Sequence, residues 1–564
     1  MVTTAINKIY LLRLIGKKLS DQQLEESLHQ IKAPIDSIDG GTLNIEVTGD
    51  RPDLLSAEGI GRSLKGYLGI EKGLPDEKFK SGGGVIFVEP SVREVREFIV
   101  AAVIENVRIT DDDLKDLIQI QEKLTLTHGR KRKKVAIGLH DAKSLVGPFI
   151  YKAVDPDSVL FVPLGKTQKM TMREIAQKHE KGIEYGGIVS GARKWPIIVD
   201  SKNQVLSFPP IINGTLTELS TSTKTIFVDI TGTDFHSCNI ALNIICQDFS
   251  DRGALVRTVE IRAGSKTIIT PQTAPEKMLL STEKANKLLG TELSQKQIIE
   301  ALGKQRISAT IKSAVSLECL IPRYRADFLH PVDLIEEVAL GFGYNNFEPK
   351  APSVFTKGGV LQRTKFIDSM TDLMVGAGFL QINTPILANS KTALKSLSEI
   401  PQIKINNPVS EEYEYVRSSL LPHLLDALSK NTHNPYPQKL FEIGQVAKKD
   451  DKSPLKATND LHLAAVFANS NSNLSDISGT LLSLLDHLKI SHNLSPSLLK
   501  VFIPGRQGKI SGKFNGKGGG SPNIHAGTHS IDLAFLGEIN PQALENLKIE
   551  VPVCGFEIDL ESYV

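Results

Sequence analysis

The chain has 564 residues, which at about 150 residues per domain predicts roughly four domains. Hydrophobic residues make up 40% and charged residues 23% of the sequence, as is typical of globular proteins, and the formal net charge is only +2. This balance excludes a uniformly basic protein that coats nucleic acid, so any contact with RNA must come from local patches.

Residues 1–80 are predicted to form a small α/β unit. Basic residues such as Lys8 and Arg13 interrupt its apolar N-terminal run, so we expect no signal peptide. A polar amphipathic helix is expected over residues 21–31, and residues 43–47 alternate as in a half-buried strand. Ser56 is a candidate N-cap for a second helix. A supporting role without chemistry is predicted for this unit.

Residues 71–84 are charged and then glycine-rich, which predicts a linker, and a strand-rich domain follows over residues 85–262. Within it, residues 130–134 read RKRKK, five consecutive cations. Such a run can hold nucleic-acid phosphates. Charge runs are usually solvated loops, and the sequence favours that interpretation.

The segment 227–234, FVDITGTD, is predicted to be a strand that ends in a polar turn. Alternation places Asp229 and Thr231 on one face and Ile230 on the other. A carboxylate in a β-branched strand is unusual, because burying it is costly unless it has a partner. Asp229 therefore either hydrogen-bonds a neighbouring loop or lines a pocket, and the sequence leaves both alternatives open.

Two helices and several strands are expected over residues 263–350. They suit a winged-helix-like or swivelling nucleic-acid domain or a protein-packing role, and the sequence does not separate these. A helix should begin at Pro331, whose fixed φ suits a first turn, and end at Gly341 and Gly343. His330, just before it, is expected to be a structural residue or cap.

Four carboxylates gather at this helix: Asp327, Asp333, Glu336 and Glu337. The last three lie within about 100° of one another around the helix axis, at roughly 100° per residue. Such a group repels itself unless a cation neutralises it, and a hard divalent ion with oxygen ligands, such as Mg²⁺, would do so. The alternative is that acids at a helix start simply favour its dipole and face water.

Residues 346–360 are predicted to be a second linker, and residues 360–564 an α+β domain. It opens with a long amphipathic helix and a strand that reaches Pro385. The glycine-rich run at residues 512–527 lacks the GxxxxGK spacing of a phosphate loop, so a surface loop is expected.

Four cysteines are far apart and form no CxxC pair: Cys238, Cys246, Cys319 and Cys554. Their apolar flanks predict buried, reduced thiols in a cytoplasmic protein and no zinc site. No run approaches 18 apolar residues, so no membrane span is expected.

These segments resemble the phenylalanine–tRNA ligase (phenylalanyl-tRNA synthetase) β-subunit family, in its shorter, archaeal-type form. The segment from Arg323 to Phe347 resembles the B5 domain, and NIEVTGDRPDLLSAEGIGRSLKGYLGI resembles the B1 domain. The stretch LQRTKFIDSMTDLMVGAGFLQINTPIL is similar to motif 1 of class II synthetases, and VRSSLLPHLLDALSKNTHNPYPQKLFEIGQV to motif 2.

The resemblance implies a multidomain α+β protein. Its expected parts are a B1-like α/β domain (1–80), a B3/4 editing domain (85–262), a B5 domain (263–350) and a degenerate class II synthetase-like antiparallel-sheet domain (355–564).

In this family the B3/4 domain removes wrongly attached amino acids from tRNA. The resemblance places the editing residues at Asp229 and Thr231 and, with a less certain alignment, at Ser207 and Ile198. A positioned water would then hydrolyse the aminoacyl ester. No Ser/His/Asp triad is evident in the sequence.

The family's magnesium ligands, shared with the α subunit, match Asp327, Asp333, Glu336 and Glu337. In the final domain, FEIG lacks the Arg that normally lies two residues before the Glu of motif 2, and the Gly-Leu-Gly-x-x-Arg core is absent. The resemblance therefore implies that ATP and phenylalanine bind at the α subunit.

The expected function is that of a β subunit in an α₂β₂ ligase that joins phenylalanine to tRNA(Phe) with ATP and Mg²⁺. The expected contributions of this chain are editing, metal ligands, tRNA contacts and the subunit interface. Two alternatives are a free-standing editing hydrolase and a non-catalytic RNA-binding scaffold.

Overall fold

The computed structural model describes residues 2–75, 79–351, 356–513 and 531–563. The chain divides into two compact units, residues 1–351 and 352–564, and the division falls inside the predicted second linker. Most of the glycine-rich run at 512–527 lies outside the described residues. None of the helices in the described ranges combines the length and apolar character that crossing a bilayer requires.

The first unit begins with a three-stranded antiparallel sheet in the order β1-β3-β2. Ser20 and Ser56 cap its second and third helices, as expected for Ser56, and Leu43, Ile45 and Val47 are buried on one face of β3. The elements are β1 (Val2–Asn7), α1 (Lys8–Ile15), α2 (Asp21–Gln30), β2 (Ile35–Asp39), β3 (Thr42–Val47) and α3 (Ala57–Tyr67).

A ten-stranded sheet follows, in the order β12-β11-β10-β7-β4-β14-β5-β13-β6, with β15 paired to β14. It extends to Thr270, beyond the expected domain boundary at residue 262. The elements are β4 (Val85–Val88), β5 (Phe98–Glu105), α4 (Asp111–Leu126), β6 (Val135–Asp141), β7 (Phe149–Val154), β8 (Leu160–Phe161), β9 (Met170–Thr171), α5 (Met172–Lys178), α6 (Glu180–Tyr185), β10 (Trp195–Val199), β11 (Val205–Phe208), β12 (Ile212–Asn213), β13 (Thr225–Gly232), α7 (Phe235–Asp251), β14 (Leu255–Ala263) and β15 (Lys266–Thr270).

Strand β13 lies between β5 and β6, and its two faces differ. Val228 and Ile230 face a core that α4 and α7 help to form, with buried residues Leu117 and Ile244. The opposite face begins apolar at Phe227 and then carries Asp229 and Thr231. The predicted alternation is confirmed, and it places two buried polar side chains on one sheet face.

The remainder of the first unit is a three-stranded sheet, in the order β16-β18-β17, packed against three helices. The last helix starts at Pro331 as expected but runs through Gly341 to Phe342. Gly341 packs so closely on the backbone of Ala301 that a side chain would collide with it. The elements are β16 (Glu276–Ser281), α8 (Thr282–Leu289), α9 (Gln295–Lys304), β17 (Ser308–Ser313), β18 (Ser316–Ile321) and α10 (Pro331–Phe342).

The second unit is built on a seven-stranded sheet, in the order β19-β23-β24-β28-β27-β26-β25, antiparallel except for β19. The expected strand reaching Pro385 is wrong: β19 has two residues, and Thr384 turns to the side chain of Glu442. The elements are α11 (Gln362–Gly376), β19 (Leu380–Gln381), β20 (Leu387–Ala388), α12 (Ser390–Lys395), β21 (Ile403–Lys404), β22 (Tyr415–Val416), α13 (Leu421–Lys430), β23 (Gln438–Lys449), β24 (Ala457–Ala468), α14 (Leu474–His487), β25 (Ser491–Pro496), β26 (Phe502–Lys513), β27 (Ile531–Ile539), α15 (Pro541–Leu547) and β28 (Val553–Asp559).

The two faces of this sheet bury different kinds of side chain. Helices α11 and α14 cover one face with an apolar core that includes Phe441 and Phe556. On the other face α13 and α15 cover an apolar part, beside buried polar residues such as Glu442 and His462.

Candidate functional site

The ten-stranded sheet holds a cavity of about 470 Å³ whose walls include Ser207, Asp229 and Thr231. Asp229 is only 2% exposed, and its neighbours across the ladder are Gly138 on β6 and Ala101 on β5. Small residues on both sides leave room for a carboxylate inside the sheet. A methyl group at residue 138 would collide with Asp229 Oδ2 and lie 2.7 Å from His140 Nε2, so this packing requires glycine.

The Asp229 carboxylate is held through one of its two oxygens. Ser207 Oγ donates to Oδ1 at 3.4 Å, and His140 Nε2 lies 3.3 Å from the same atom. His140 Nδ1 is in turn 2.7 Å from Thr217 Oγ1, and all four side chains are buried. Asp229 Oδ2 has no hydrogen-bond donor among the described side chains and backbone groups. One carboxylate oxygen is thus fixed, and the other can accept a hydrogen bond from a bound molecule.

The order of contacts is Ser207–Asp229–His140, which is not the order of a nucleophile triad. In a triad the imidazole must touch the hydroxyl that it deprotonates. Here the carboxylate lies between them, so His140 positions Asp229 and does not activate Ser207.

Thr231 is held by a buried arginine that the sequence analysis did not single out. Arg96 donates from Nε to Thr231 Oγ1 at 2.9 Å and from Nη2 to the Thr231 carbonyl at 2.6 Å. Burial lowers the pKa of Arg96. Thr231 Oγ1 thus accepts from Arg96, and Thr231 is part of the cavity wall.

The basic run at residues 130–134 is a strained turn. Arg130, Lys131 and Arg132 have φ angles of +49°, +53° and +65°, and each left-handed residue costs about 1–2 kcal/mol. Arg96 Nη1 holds the turn by donating to the Arg132 carbonyl at 3.1 Å. The expected solvated loop is partly confirmed, because Arg130, Lys131 and Lys133 are exposed.

Arg132, unlike its exposed neighbours, is partly buried against other parts of the domain. Its Nη1 donates to the carbonyls of Pro210 and Ile211, at 3.1 and 2.8 Å, and its guanidinium lies 4.4 Å from the centre of the Tyr185 ring. Arg132 also lines the cavity that contains Asp229. The run therefore joins the cavity wall to an exposed cationic surface.

Ile198, the fourth expected editing residue, pairs with Ser207 across the ladder of β10 and β11. Its side chain is fully buried in the apolar core with Phe149 and Phe227. It does not contribute to the cavity wall that Ser207, Asp229 and Thr231 share.

The four carboxylates at α10 each already have a partner. Asp327 and Glu337 grip Arg325: Nη2 is 2.6 Å from Asp327 Oδ2 and 2.8 Å from Glu337 Oε1. Burial alone would raise the pKa of Asp327, but the guanidinium holds it at about 2. Asp333 accepts from the backbone N–H groups of Leu329 and His330, and Glu336 pairs with Lys32.

His330 caps this helix, as expected. Its Nδ1 accepts from the Val332 N–H at 3.2 Å, while Asp333 accepts from the His330 N–H at 2.7 Å. The reciprocal pair is a capping box that satisfies two backbone donors at the helix start.

Oxygen donors of this kind suit Mg²⁺, but the four carboxylates do not form a ready cage within this chain. Arg325 occupies the position between Asp327 and Glu337 that a cation would need. The one group of three metal-capable side chains in the described part of the chain lies in the second unit. Ligation of a metal at α10 would therefore require these partners to be exchanged.

In the second unit, the buried Arg417 is bound to groups on and beside β23. Arg417 Nη1 lies 2.6 Å from Glu442 Oε1 and donates to Thr384 Oγ1 at 2.9 Å, while Thr384 Oγ1 donates to Glu442 Oε2 at 2.7 Å. Both charged side chains are at most 2% exposed. A side chain at residue 444 would collide with the guanidinium, so Gly444 makes room for it. The Nε and Nη1 groups of Arg417 are thus bound by groups of the chain itself.

Sequence reasoning brought together Ser207, Asp229 and Thr231 but missed their supports His140 and Arg96. The signal for His140 was present in the segment KVAIGLHD, where a glycine interrupts a β-branched strand two residues before a histidine. Glycine inside a strand often marks a close approach by another group. Nothing local in the sequence pointed to Arg96.

Two family models match the chain. The tRNA synthetase B5 domain matches residues 278–344, and the phenylalanyl-tRNA synthetase β chain CLM domain matches residues 348–560.

Similar proteins cover the whole chain. A phenylalanine–tRNA ligase β subunit of Pyrococcus abyssi is 35% identical and covers 98% of both chains, and that of Methanocaldococcus jannaschii is 35% identical and covers 100% of both. A crystal structure of an N-terminal fragment of the phenylalanyl-tRNA synthetase β subunit from Pyrococcus horikoshii aligns with a TM-score of 0.59 and 35% identity. It covers 61% of this chain and 100% of the fragment.

Replacing Arg325 by Met should destabilise α10 strongly. The change leaves two mostly buried carboxylates without a cation, which costs about 3–5 kcal/mol in comparable cases. Hydrogen exchange of the α10 amides should speed up accordingly. Arg323→Met is the matched control, because its pair with Glu276 is 30% and 42% exposed and is worth at most about 1 kcal/mol. Equal protection in both variants would show that Arg325 is not the stabilising centre of this helix.

Proposed function

The chain belongs to the phenylalanine–tRNA ligase β-subunit family, and we propose that it removes wrongly attached amino acids from tRNA at the cavity around Asp229. The observation that carries the proposal is a buried carboxylate in the wall of a cavity of about 470 Å³, with Oδ1 held by Ser207 and His140 and no hydrogen-bond donor to Oδ2 among the described residues. That volume is within the range of small-molecule sites.

The chemical need for such a site follows from the similar size of phenylalanine and its analogues. A pocket shaped for phenylalanine cannot strongly reject a close analogue that adds one hydroxyl group. A second site that hydrogen-bonds the hydroxyl supplies the missing discrimination. We assign that hydrogen bond to Asp229 Oδ2, because Oδ1 already accepts from Ser207 Oγ and lies against His140 Nε2.

The other cavity residues have distinct roles in this proposal. Ser207 and His140 orient the carboxylate, and Thr217 fixes the imidazole. Thr231 Oγ1 accepts a hydrogen bond from Arg96 Nε, so its hydroxyl can donate its own proton to an ester or ribose oxygen. Water is then the nucleophile, held between the substrate and these groups. Ile198 supports the sheet behind the pocket.

Asp229→Asn keeps the shape of the side chain but weakens the acceptor. Deacylation of tyrosyl-tRNA should fall at least tenfold, whereas the slow deacylation of phenylalanyl-tRNA should change little. The measurement is the release of labelled amino acid by the full-length chain in complex with an α subunit. Asp157→Asn is the control, since Asp157 is 54% exposed and pairs with Arg173 outside the cavity wall. Unchanged tyrosyl-tRNA hydrolysis would remove Asp229 from the mechanism.

We further propose that the exposed cations of the 130–134 turn contact the tRNA backbone near the cavity. No carboxylate of the described residues lies within 4.0 Å of Arg130, Lys131 or Lys133. Strained backbone of this kind persists only where the surroundings hold it, and such sites are often functional. Arg132 and Arg96 tie this turn to the cavity wall and to Thr231.

Changing Arg130, Lys131 and Lys133 together to Gln should weaken tRNA binding and raise KM for deacylation, with kcat nearly unchanged. Each lost phosphate contact should reduce the slope of log affinity against log salt by about 0.7–0.9. A control variant replaces Lys115, Lys202 and Lys224, three exposed lysines of the same unit, by Gln. Equal salt slopes in the two variants would exclude the turn as the RNA contact.

The second unit is proposed to be a synthetase-like domain without adenylation chemistry. FEIG lacks the arginine of motif 2, and the nearby Arg417 is buried and bound by Glu442 and Thr384. ATP and phenylalanine would then be bound by an α subunit, in an α₂β₂ assembly that charges tRNA(Phe).

We also propose that Asp327, Asp333, Glu336 and Glu337 contribute magnesium ligands in that assembly. Glu336 is the most exposed of the four carboxylates, with a side chain 49% exposed. Lys32 pairs with Glu336, and Arg325 pairs with Asp327 and Glu337. Binding of Mg²⁺ therefore requires the release of Lys32 or Arg325 and a further ligand from the α subunit.

The isolated chain should therefore bind Mg²⁺ weakly and gain a tighter site only on assembly. Calorimetric titration of Mg²⁺ into the chain alone and into the α-containing complex would compare the two states. Glu336→Gln should weaken only the second, and Glu348→Gln is a control outside the group. Tight Mg²⁺ binding by the chain alone, blocked by Glu336→Gln, would contradict this proposal. Size-exclusion chromatography of the same samples would show whether the chain binds the α subunit. A chain that stays monomeric would favour a free-standing editing hydrolase or an RNA-binding scaffold.

A further inference from the structure

A second cluster of metal-capable side chains lies on the seven-stranded sheet, apart from α10. One ligand atom each of Asp460, His462 and Asp559 lies within 4.8 Å of the others. His462 on β24 is directly opposite Asp559 on β28, and Asp460 precedes His462 by two residues, on the same face of the strand. The sheet ladder therefore fixes the relative positions of all three side chains.

The imidazole of His462 is oriented in the way that metal-binding histidines usually are. Its Nδ1 lies 2.6 Å from Glu557 Oε1. The Glu557 carboxylate is itself held by Ser419 Oγ at 2.6 Å and by the backbone N–H groups of Leu420 and Leu421. A histidine ligand almost always gives its other ring N–H to a carboxylate or carbonyl, which fixes the ring and raises its basicity.

The other ring nitrogen of His462, Nε2, makes no hydrogen bond within geometric limits to any of the described residues. Nε2 is buried in a residue that is only 7% exposed, and it lies 3.5 Å from Asp559 Oδ2 without making a directed hydrogen bond. A buried nitrogen left in this state costs free energy, and it points to a missing partner between the two aspartates.

Lys448 now provides positive charge at this place. Its Nζ lies 2.9 Å from Asp460 Oδ2 and 2.8 Å from Asp559 Oδ2. The Lys448 side chain is 37% exposed, and those of Asp460 and Asp559 are 18% and 31% exposed, so water reaches these ion pairs and weakens them. The ammonium can therefore swing into water and leave both carboxylates to another cation.

We propose that His462 Nε2, Asp460 and Asp559 form a binding site for a divalent transition-metal ion, which takes the place of the Lys448 ammonium. One imidazole and two carboxylates suit Zn²⁺ or Co²⁺, whereas Mg²⁺ and Ca²⁺ prefer oxygen donors alone. The site goes beyond the proposed editing function and does not depend on it.

The test is a titration of the chelator-stripped full-length chain with Co²⁺, followed by its visible absorption, and with Zn²⁺ by calorimetry. We expect one site with a nitrogen-containing ligand set. Binding should weaken at least tenfold in His462→Gln and in Asp559→Asn. His487→Gln, at an exposed histidine of the same unit, should bind like the unchanged chain.

Lys448→Met provides a gain-of-binding test that does not depend on a damaged fold. Removing the competing ammonium while keeping the length of the side chain should tighten Co²⁺ and Zn²⁺ binding at least tenfold. Equal affinities of the unchanged chain and His462→Gln would overturn the proposal. So would a Lys448→Met variant that binds no more tightly, because Lys448 would then not occupy the metal position.

Discussion

The cavity depends on the burial of the Asp229 carboxylate inside a β-sheet. A buried charge is tolerated only when neighbouring groups hydrogen-bond it, and here the sheet supplies them from two strands, β6 and β11. Gly138 provides the space on β6, Ser207 on β11 donates to Asp229 Oδ1, and His140 on β6 contacts the same oxygen through Nε2. The second oxygen is left for whatever enters the cavity, and this incomplete satisfaction distinguishes a binding site from a structural ion pair.

Other buried charges in the chain show the contrasting case. Arg325 is closed off by Asp327 and Glu337, and Arg417 by Glu442 and Thr384. Each of these arginines is paired with a carboxylate of the chain itself, one at α10 and one on β23. The pairing of buried charges therefore distinguishes the two places. Asp229 keeps an oxygen available to a bound molecule, whereas Arg417 is paired with Glu442 of the same sheet.

Local pattern predicted much of this architecture. The alternation of residues 43–47, the start of α10 at Pro331, and the shared face of Asp229 and Thr231 follow from periodicity and caps, and the structure confirms them. The contacts that complete the site join residues far apart in the chain: His140 and Asp229 are separated by 89 positions, and Arg96 and Thr231 by 135. No local periodicity encodes such pairs. The same limit applies to the acidic group at α10. The sequence showed four neighbouring carboxylates, but their ion pairs with Arg325 and Lys32 could be identified only from the structure.

The central claim is that Asp229 reads a hydroxyl group of the misattached amino acid. A crystal structure of the chain with a non-hydrolysable tyrosyl-adenosine analogue tests it most directly. We predict the phenolic oxygen within about 3 Å of Asp229 Oδ2, with Oδ1 still held by His140 and Ser207. An analogue bound elsewhere, or bound in this cavity with its hydroxyl away from Asp229, would contradict the account.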